Sequence, residues 1–202
     1  MTPLLTGLGL AAAAGLNAWA VLLLFHGLVR LLPQEFPGPV TAFLSSPVVL
    51  EVALVLFLLE FIVNKIPLVD RFWESAHTLL RPIVGVLLCL ACLPDSAGVL
   101  GRIGASVGAA AAALAAHLAK STTRLTSTAA TRGVTQFFLS LAEDVVAVVL
   151  ATLCFFQPLF TAILLVGLAG ILLLHRPRVG RTVQLLLFRL QHPRRRAPGE
   201  GR

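Results

Sequence analysis

The chain has 202 residues, of which 57% are hydrophobic and 12% are charged, and its mean hydropathy is +0.92. This composition excludes an ordinary soluble domain and is typical of an integral membrane protein. Because a membrane-spanning helix takes about 20 residues, the length allows several spans but leaves little room for a soluble domain. We therefore expect a single membrane domain over residues 1–175.

The net charge of +7 comes from residues 176–202, which carry eight arginines and one glutamate, while residues 1–175 hold eight basic and eight acidic side chains. Arginines clustered after a hydrophobic run are typical of a cytoplasmic flank and can bind anionic lipid headgroups. We interpret 176–202 as a basic, partly disordered cytoplasmic tail that contacts membrane lipids, and we expect no nucleic-acid partner. The arginines assigned to lipid contact are Arg176, Arg178, Arg181, Arg194, Arg195 and Arg196.

The first half of the chain predicts three spans. Residues 4–32 form a Gly- and Ala-rich helix, whose small side chains allow close helix contacts. A second helix is predicted over 46–63, with Ser46 as its N-cap and a proline at its first position. Residues 64–80 repeat apolar side chains every three or four positions, which predicts an interfacial amphipathic helix before a short third span over 78–93.

The second half predicts three more spans. A small-residue helix is expected over 99–119, and a polar loop over 120–136. The fifth helix is predicted over 140–156, where Ser140 and Glu143 have the spacing of a capping box. A sixth helix continues to residue 174.

The two halves have a similar order of features, with FLSSPVVLEV at 43–52 and FLSLAEDVV at 138–146. We predict an all-α integral membrane protein with about six transmembrane helices, built as two inverted three-helix repeats over 1–95 and 96–175. A cytoplasmic tail then places the basic segments 64–80 and 120–136 on the cytoplasmic side, together with both termini. Inverted repeats of this kind are common in secondary transporters.

Acidic residues within the hydrophobic runs are the strongest pointer to function, because a carboxylate inside a membrane is costly. Glu60 lies in the apolar stretch LFLLEFIVNK. Two interpretations stay open for it. It takes part in transport, or it locks helices through a polar contact such as a hydrogen bond to Asn64.

Adjacent Glu143 and Asp144 admit a simpler reading, because acids at a helix N-terminus satisfy free backbone N–H groups. This accounts for Glu143 as a cap and leaves Asp144 to face a partner such as Lys120 or Arg124. Asn17 and His117 are expected to hydrogen-bond across helix contacts. A metal site needs several converging ligands, and we expect no metal, no cofactor and no enzymatic activity.

Several strings resemble a bacterial membrane-protein family catalogued as domain of unknown function number 4126 (DUF4126). They are GLNA at 15–18, EFIVNKIPLVD at 60–70, Thr78 with Arg81, Pro82 and Gly85, His117 with Lys120 and Arg124, and Ser140 with Glu143 and Asp144. The chain departs from the family pattern at Asn64, where that pattern has Asp. The resemblance implies one functional group made of Glu60, Lys65, Pro67, Asp70, Arg81, His117, Lys120, Glu143 and Asp144.

Together these features predict a multi-pass protein of the bacterial inner (plasma) membrane. We expect it to transport a small ion or polar solute through intramembrane carboxylates. The alternative is a non-transporting membrane scaffold whose polar residues lock helices together and whose tail binds lipid or a partner.

Overall fold

The computed structural model describes residues 3–36, 38–63, 67–128, 134–174 and 176–191, and within these ranges it is helical with no strand. The helices are α1 Pro3–Leu16, α2 Ala18–Leu31, α3 Pro39–Leu44, α4 Pro47–Val63, α5 Pro67–Cys92, α6 Val99–Thr128, α7 Val134–Phe156, α8 Pro158–Leu174 and α9 Arg176–Gln191, with a short 3-10 helix at Pro33–Glu35. The all-α prediction is confirmed.

Helix α1 is the centre of the bundle and packs against α5, α6, α7 and α8. Its small residues allow this. A Cβ added at Gly9 would lie 2.4 Å from the Cβ of Cys154, and one added at Gly15 would lie 2.2 Å from the carbonyl oxygen of Ala113. The backbones of α1 and α6 therefore approach each other more closely than any side chain at Gly15 would permit.

The first helix is interrupted, so the prediction of one continuous helix over 4–32 is wrong. Asn17 has φ −144° and ψ 103°, an extended conformation between α1 and α2. Its side-chain oxygen accepts a hydrogen bond from the backbone N–H of Ala20 at 3.0 Å, which makes Asn17 the N-cap of α2. The interruption leaves carbonyls at the end of α1 without partners in the next turn.

Helix α5 is continuous from Pro67 to Cys92, although an amphipathic helix and a separate third span were expected there. Pro82 lies inside it and does not end it. Proline removes one backbone hydrogen bond. Packing of α5 against both α1 and α6 holds the helix together across that position.

The polar segment 120–136 was predicted to be a loop, but α6 extends to Thr128 and α7 begins at Val134. The start of this segment is buried, because Lys120 is 5% exposed and Thr122 is 8% exposed. Their polar groups have acceptors inside the bundle, including the carbonyl of Leu118 for Thr122 Oγ1 at 2.7 Å. Polar side chains with buried partners do not end a helix.

The prediction of a capping box at Ser140 is also wrong, since Ser140 and Glu143 lie inside α7. By contrast, the predicted cap of α4 is confirmed: the hydroxyl oxygen of Ser46 accepts from the backbone N–H of Val49 at 3.4 Å. The break between α7 and α8 at Gln157 also occurs as expected.

The close contact at Gly15 predicts a stability difference between two glycines. Gly15→Ala should destabilise the fold by about 1–3 kcal/mol, because the new methyl group collides with the backbone of α6. Gly27→Ala is the matched control, since a Cβ at Gly27 would meet nothing within 4 Å. It should be neutral or stabilising by up to about 1 kcal/mol. Thermal unfolding of the purified variants in detergent measures both, and equal midpoints would contradict the packing.

Candidate functional site

The predicted polar residues converge at the junction of α1 and α2. This central polar cluster consists of Asn17, Glu60, Arg81, His117, Lys120, Glu143 and Asp144. Its members come from α4, α5, α6 and α7 and from the junction itself. The convergence joins residues that lie up to 127 positions apart in the chain.

Arg81 connects three elements from a fully buried position, with 0% of its side chain exposed. Its Nη2 donates to Glu60 Oε1 at 3.0 Å, and its Nη1 donates to the carbonyl of Gly15 at 3.3 Å. Nη1 also lies 2.6 Å from Nδ1 of His117. The fork of the guanidinium group makes this arrangement possible, because one planar group presents several donors in fixed directions.

The contact with Arg81 fixes the tautomer of His117. A guanidinium nitrogen can donate but cannot accept, so Nδ1 of His117 is the acceptor. The proton of the neutral ring then lies on Nε2, which donates to the hydroxyl of Thr78 at 3.1 Å. His117 is therefore a neutral bridge between two positions of α5.

Lys120 provides the second cation of the central polar cluster. Its ammonium group donates to the carbonyl of Leu16 at 2.7 Å and lies 3.2 Å from Glu143 Oε2 and 3.8 Å from Glu60 Oε1. Arg81 and Lys120 thus meet two carbonyls at the C-terminal end of α1. Cations favour that end because the helix dipole is negative there.

Asn17 links the interrupted helix to α7. While its oxygen caps α2, its Nδ2 donates to Asp144 Oδ1 at 2.7 Å. The prediction that Asn17 and His117 bond across helix contacts is confirmed. Glu143 and Asp144 each face a partner on another element, so the expectation that Glu143 caps a helix is wrong.

Glu60 has an incompletely satisfied carboxylate. Its side chain is 3% exposed, and Oε1 meets both Arg81 and Lys120. Oε2 is buried without a hydrogen-bond donor among the described residues. A buried acceptor without a donor is unfavourable, and in native structures such groups are exceptions for which a role in function or a bound water or ion is one explanation.

For several predicted site residues the structure does not describe the side-chain position. Asn64 and Lys65 lie outside the described residues, and so do Arg194, Arg195 and Arg196. The side chains of Asp70, Arg124 and Arg178 also lie outside the described part, although their backbones are helical. Arg176 and Arg181 are exposed on α9, which packs against α5, α6 and α8.

The sequence contains two catalytic spacings that the structure does not support as sites. Gly104 to Gly108 reads GASVG, which matches the G-x-S-x-G pattern of serine hydrolases. That pattern requires a strand followed by a sharp turn, but here it lies within α6, and Ser106 Oγ donates to the carbonyl of Arg102 at 2.8 Å. Its hydroxyl is occupied by its own helix.

The second spacing is E-x-x-H from Glu74 to His77, which di-metal helical bundles use for ligands. His77 is 1% exposed, and both of its ring nitrogens are occupied. Trp19 Nε1 donates to Nε2 at 2.9 Å, and Nδ1 lies 2.8 Å from the carbonyl of Trp73. Sequence reasoning missed this Trp19–His77 contact, since the two residues are 58 positions apart and no local spacing links them.

The family model described as Domain of unknown function (DUF4126) matches residues 4–178 of this chain. The chain belongs to this family. The resemblance inferred from the motifs is therefore confirmed, and the DUF4126 match covers both the interrupted helix and the central polar cluster. No curated protein and no solved structure matches the chain significantly.

The buried ion pair between Arg81 and Glu60 predicts that two arginines of the DUF4126 protein contribute very differently to its stability. Arg81→Gln should lower the free energy of unfolding by about 3–5 kcal/mol, because it leaves Glu60 buried beside fewer cations. Arg102→Gln should change it by less than about 1 kcal/mol, because its pair with Asp95 is exposed and long at 3.4 Å. Chemical unfolding in detergent measures both. Similar losses in the two variants would contradict the assigned importance of the buried pair.

Proposed function

We propose that this DUF4126-family protein is a multi-pass membrane transporter that moves a small ion or polar solute by protonation of a carboxylate in the central polar cluster. The single observation that carries the proposal is the convergence of charged side chains on an interrupted helix. Transporters commonly bind their substrates where a helix is discontinuous near the middle of the membrane.

A membrane setting is supported by the outer surface of the bundle. Large apolar side chains are exposed along α4, α7 and α8, including Val48, Val55, Ile62, Val149 and Ile163. Contact of such a surface with lipid is favourable, whereas its contact with water is unfavourable. By length and composition, one helical segment of the described residues, Val99–Thr122, is a candidate to cross a membrane unaided, and shorter apolar helices accompany it.

The depth of the central polar cluster supports transport. Asn17 separates two helices of 14 residues each, and Asp144 is the eleventh residue of the 23-residue α7. If these helices cross a bilayer, both side chains lie close to its centre. Charged groups at that depth are retained mainly along ion and substrate pathways.

Six spans with inverted halves remain part of the proposal. In this arrangement both termini are cytoplasmic, in the plasma membrane of a bacterium, and the basic α9 lies against anionic lipid. Two basic residues, Arg30 and Arg102, would lie near the opposite face, and Arg102 is paired there with Asp95. The central polar cluster draws Glu60 and Arg81 from the first half and the remaining charges from the second.

A helix-locking scaffold is the second candidate, and the ion pairs favour it. Lys120 is shared between Glu60 and Glu143, and Arg81 holds Glu60, so these contacts tie α4, α5, α6 and α7 together. A scaffold, however, has no use for a charge that can be protonated. The two candidates therefore differ in what neutral replacements of the carboxylates do.

The membrane location predicts a simple fractionation result. After expression in a bacterial host, the protein should stay in the membrane pellet through alkaline carbonate extraction, and a reporter fused to residue 202 should be cytoplasmic. Release into the supernatant would contradict the proposal. A reporter signal from the periplasm would contradict the arrangement of the spans.

Transport is tested in proteoliposomes containing a pH-sensitive dye and challenged with a panel of cations and amino acids. We expect a solute-dependent proton signal that falls at least tenfold in both Glu60→Gln and Asp144→Asn. Glu51→Gln is the matched control, because Glu51 lies on the same helix as Glu60 but is exposed, and it should keep the signal. Unchanged signals in both cluster variants would favour the scaffold.

A further inference from the structure

We infer that α1 and α2 form a re-entrant hairpin, which enters and leaves the membrane on the face opposite α9 and places its tip, Asn17, in the central polar cluster. Five helices, α4 to α8, then cross the membrane. This inference rests on the membrane setting of the proposed function. It replaces the first of the six spans considered there, whereas the transport step does not depend on it.

The contacts of α1 with α5 fix the direction in which α1 runs. Near the start of α1, a Cβ added at Gly7 would lie 2.9 Å from the Cα of Cys89, which is close to the end of α5. At the end of α1, the carbonyl of Gly15 accepts from Arg81, which lies near the middle of α5. Helix α1 is therefore antiparallel to α5. It begins on the face of the bundle where α5 ends and α6 begins, which we call the α5–α6 face.

The contacts of α1 with α7 give the same direction. Gly9 lies against Cys154, close to the end of α7, because a Cβ added there would be 2.4 Å from the Cβ of Cys154. Asn17, directly after α1, donates to Asp144 in the middle of α7. Helix α1 thus descends from the α5–α6 face to the central polar cluster and stops there.

Helix α2 returns to the face from which α1 came. The ring of Phe25 on α2 packs against the ring of Phe36 at 5.0 Å, and Phe36 stacks at 5.5 Å on Phe155, at the end of α7. The hydroxyl of Thr41 in α3 donates to the carbonyl of Ala91, close to the end of α5, at 3.1 Å. The chain therefore leaves α2 on the α5–α6 face, where α1 began.

The helix lengths fit a hairpin that ends inside the membrane. Helices α1 and α2 have 14 residues each, about 21 Å at the rise of an α-helix, so neither crosses a hydrocarbon core of about 30 Å alone. Helices α4 to α8 have between 17 and 30 residues, which is sufficient by length for a span. Helix α8 begins next to the end of α7 and so carries α9 to the opposite face.

The tip of the hairpin has the polar contacts that such a position requires. Non-helical backbone at membrane depth is tolerated only where protein or enclosed water satisfies it. Asn17 is 1% exposed and caps α2 with its own side chain. The carbonyls of Gly15 and Leu16 accept from Arg81 and Lys120. The buried cations thus stabilise the end of a helix that stops inside the membrane.

The hairpin also determines how the central polar cluster is approached. With α9 in the cytoplasm, the α5–α6 face is periplasmic, and the start of α1 lies on that side. Residues 1–29 contain no Lys or Arg, so the distribution of basic residues does not oppose this placement. A solute that reaches the central polar cluster from the periplasm passes along α1 and α2, which lead from that face to the tip.

Thiol labelling in bacterial spheroplasts tests the hairpin without a transport assay. The three native cysteines are buried, and all are replaced by alanine in the background. Single cysteines are introduced as Thr2→Cys before α1, Gln34→Cys after α2, Ser96→Cys between α5 and α6, and Arg181→Cys on α9. Gln34, Ser96 and Arg181 are exposed. A membrane-impermeant maleimide is applied before lysis and, in a second sample, after it.

We expect Thr2→Cys, Gln34→Cys and Ser96→Cys to be labelled nearly completely before lysis, and Arg181→Cys only after lysis. Six spans predict a different result at Thr2→Cys alone, so Gln34→Cys and Ser96→Cys are matched controls for the α5–α6 face. If the cysteine-free background fails to fold, an epitope tag ahead of residue 1 of the otherwise unchanged chain decides. An antibody should bind that tag on intact spheroplasts.

Labelling of Thr2→Cys only after lysis, with Gln34→Cys labelled before it, would overturn the hairpin and leave the proposed function with its six spans. A tag that the antibody reaches only after lysis would do the same. Labelling of all four positions on the same side of the membrane would overturn both the hairpin and the membrane setting. The expected labelling pattern without any proton signal in proteoliposomes would instead support the hairpin and count against transport.

Discussion

Charges buried inside an apolar helical bundle must find partners there, and in this protein the partners include the backbone of an interrupted helix. Arg81 and Lys120 are almost completely excluded from solvent. They meet the carbonyls of Gly15 and Leu16, which the break at Asn17 has released from the helical ladder. The break and the buried cations therefore stabilise each other, and removal of either leaves the other unsatisfied.

This dependence extends to the small residues of α1. A cation on α6 can reach the carbonyl of Leu16 because α1 and α6 approach closely, and they approach closely because Gly15 lies against the backbone of Ala113. A larger residue at position 15 would separate the helices and lengthen the bond from Lys120. The glycines of α1, which are evident in the sequence, thus allow the helix approach that positions the charged residues of the site.

The elements that could be predicted from the sequence are those set by local signals. Ser46 caps α4, and Gln157 precedes the proline that begins α8, because caps and prolines act within one turn. The break at Asn17 was missed although Gly15 is a poor helix former and Asn17 a favoured N-cap, because the apolar run has the length of one membrane span. Its partner Asp144 is 127 positions away and gives no local signal. The extension of α6 past Lys120 was also missed, because its polar side chains are satisfied inside the bundle, Lys120 by the carbonyl of Leu16 on α1 and Thr122 by the carbonyl of Leu118 one turn back.

The identity of the candidate residues was more predictable than their pairing. A carboxylate in an apolar run such as Glu60 is conspicuous in any sequence, yet the sequence did not indicate that Arg81 would be its partner. Arg81 holds Glu60 from another helix. Local spacing can suggest that a charge is buried, whereas the choice of partner depends on which helices pack together.

Under the proposed inverted repeat, the two halves would contribute to this site unequally. The break at Asn17 separates α1 from α2, while α6, the counterpart in that proposal, runs without interruption from Val99 to Thr128. Lys120 lies on the uninterrupted α6, so the helix break of the central polar cluster lies on the α1–α2 side. If one half moves against the other during transport, the cap at Asn17 is where a change of charge on α7 would first alter the backbone, because Asn17 alone among the described residues of the central polar cluster is both a cap and a partner of Asp144.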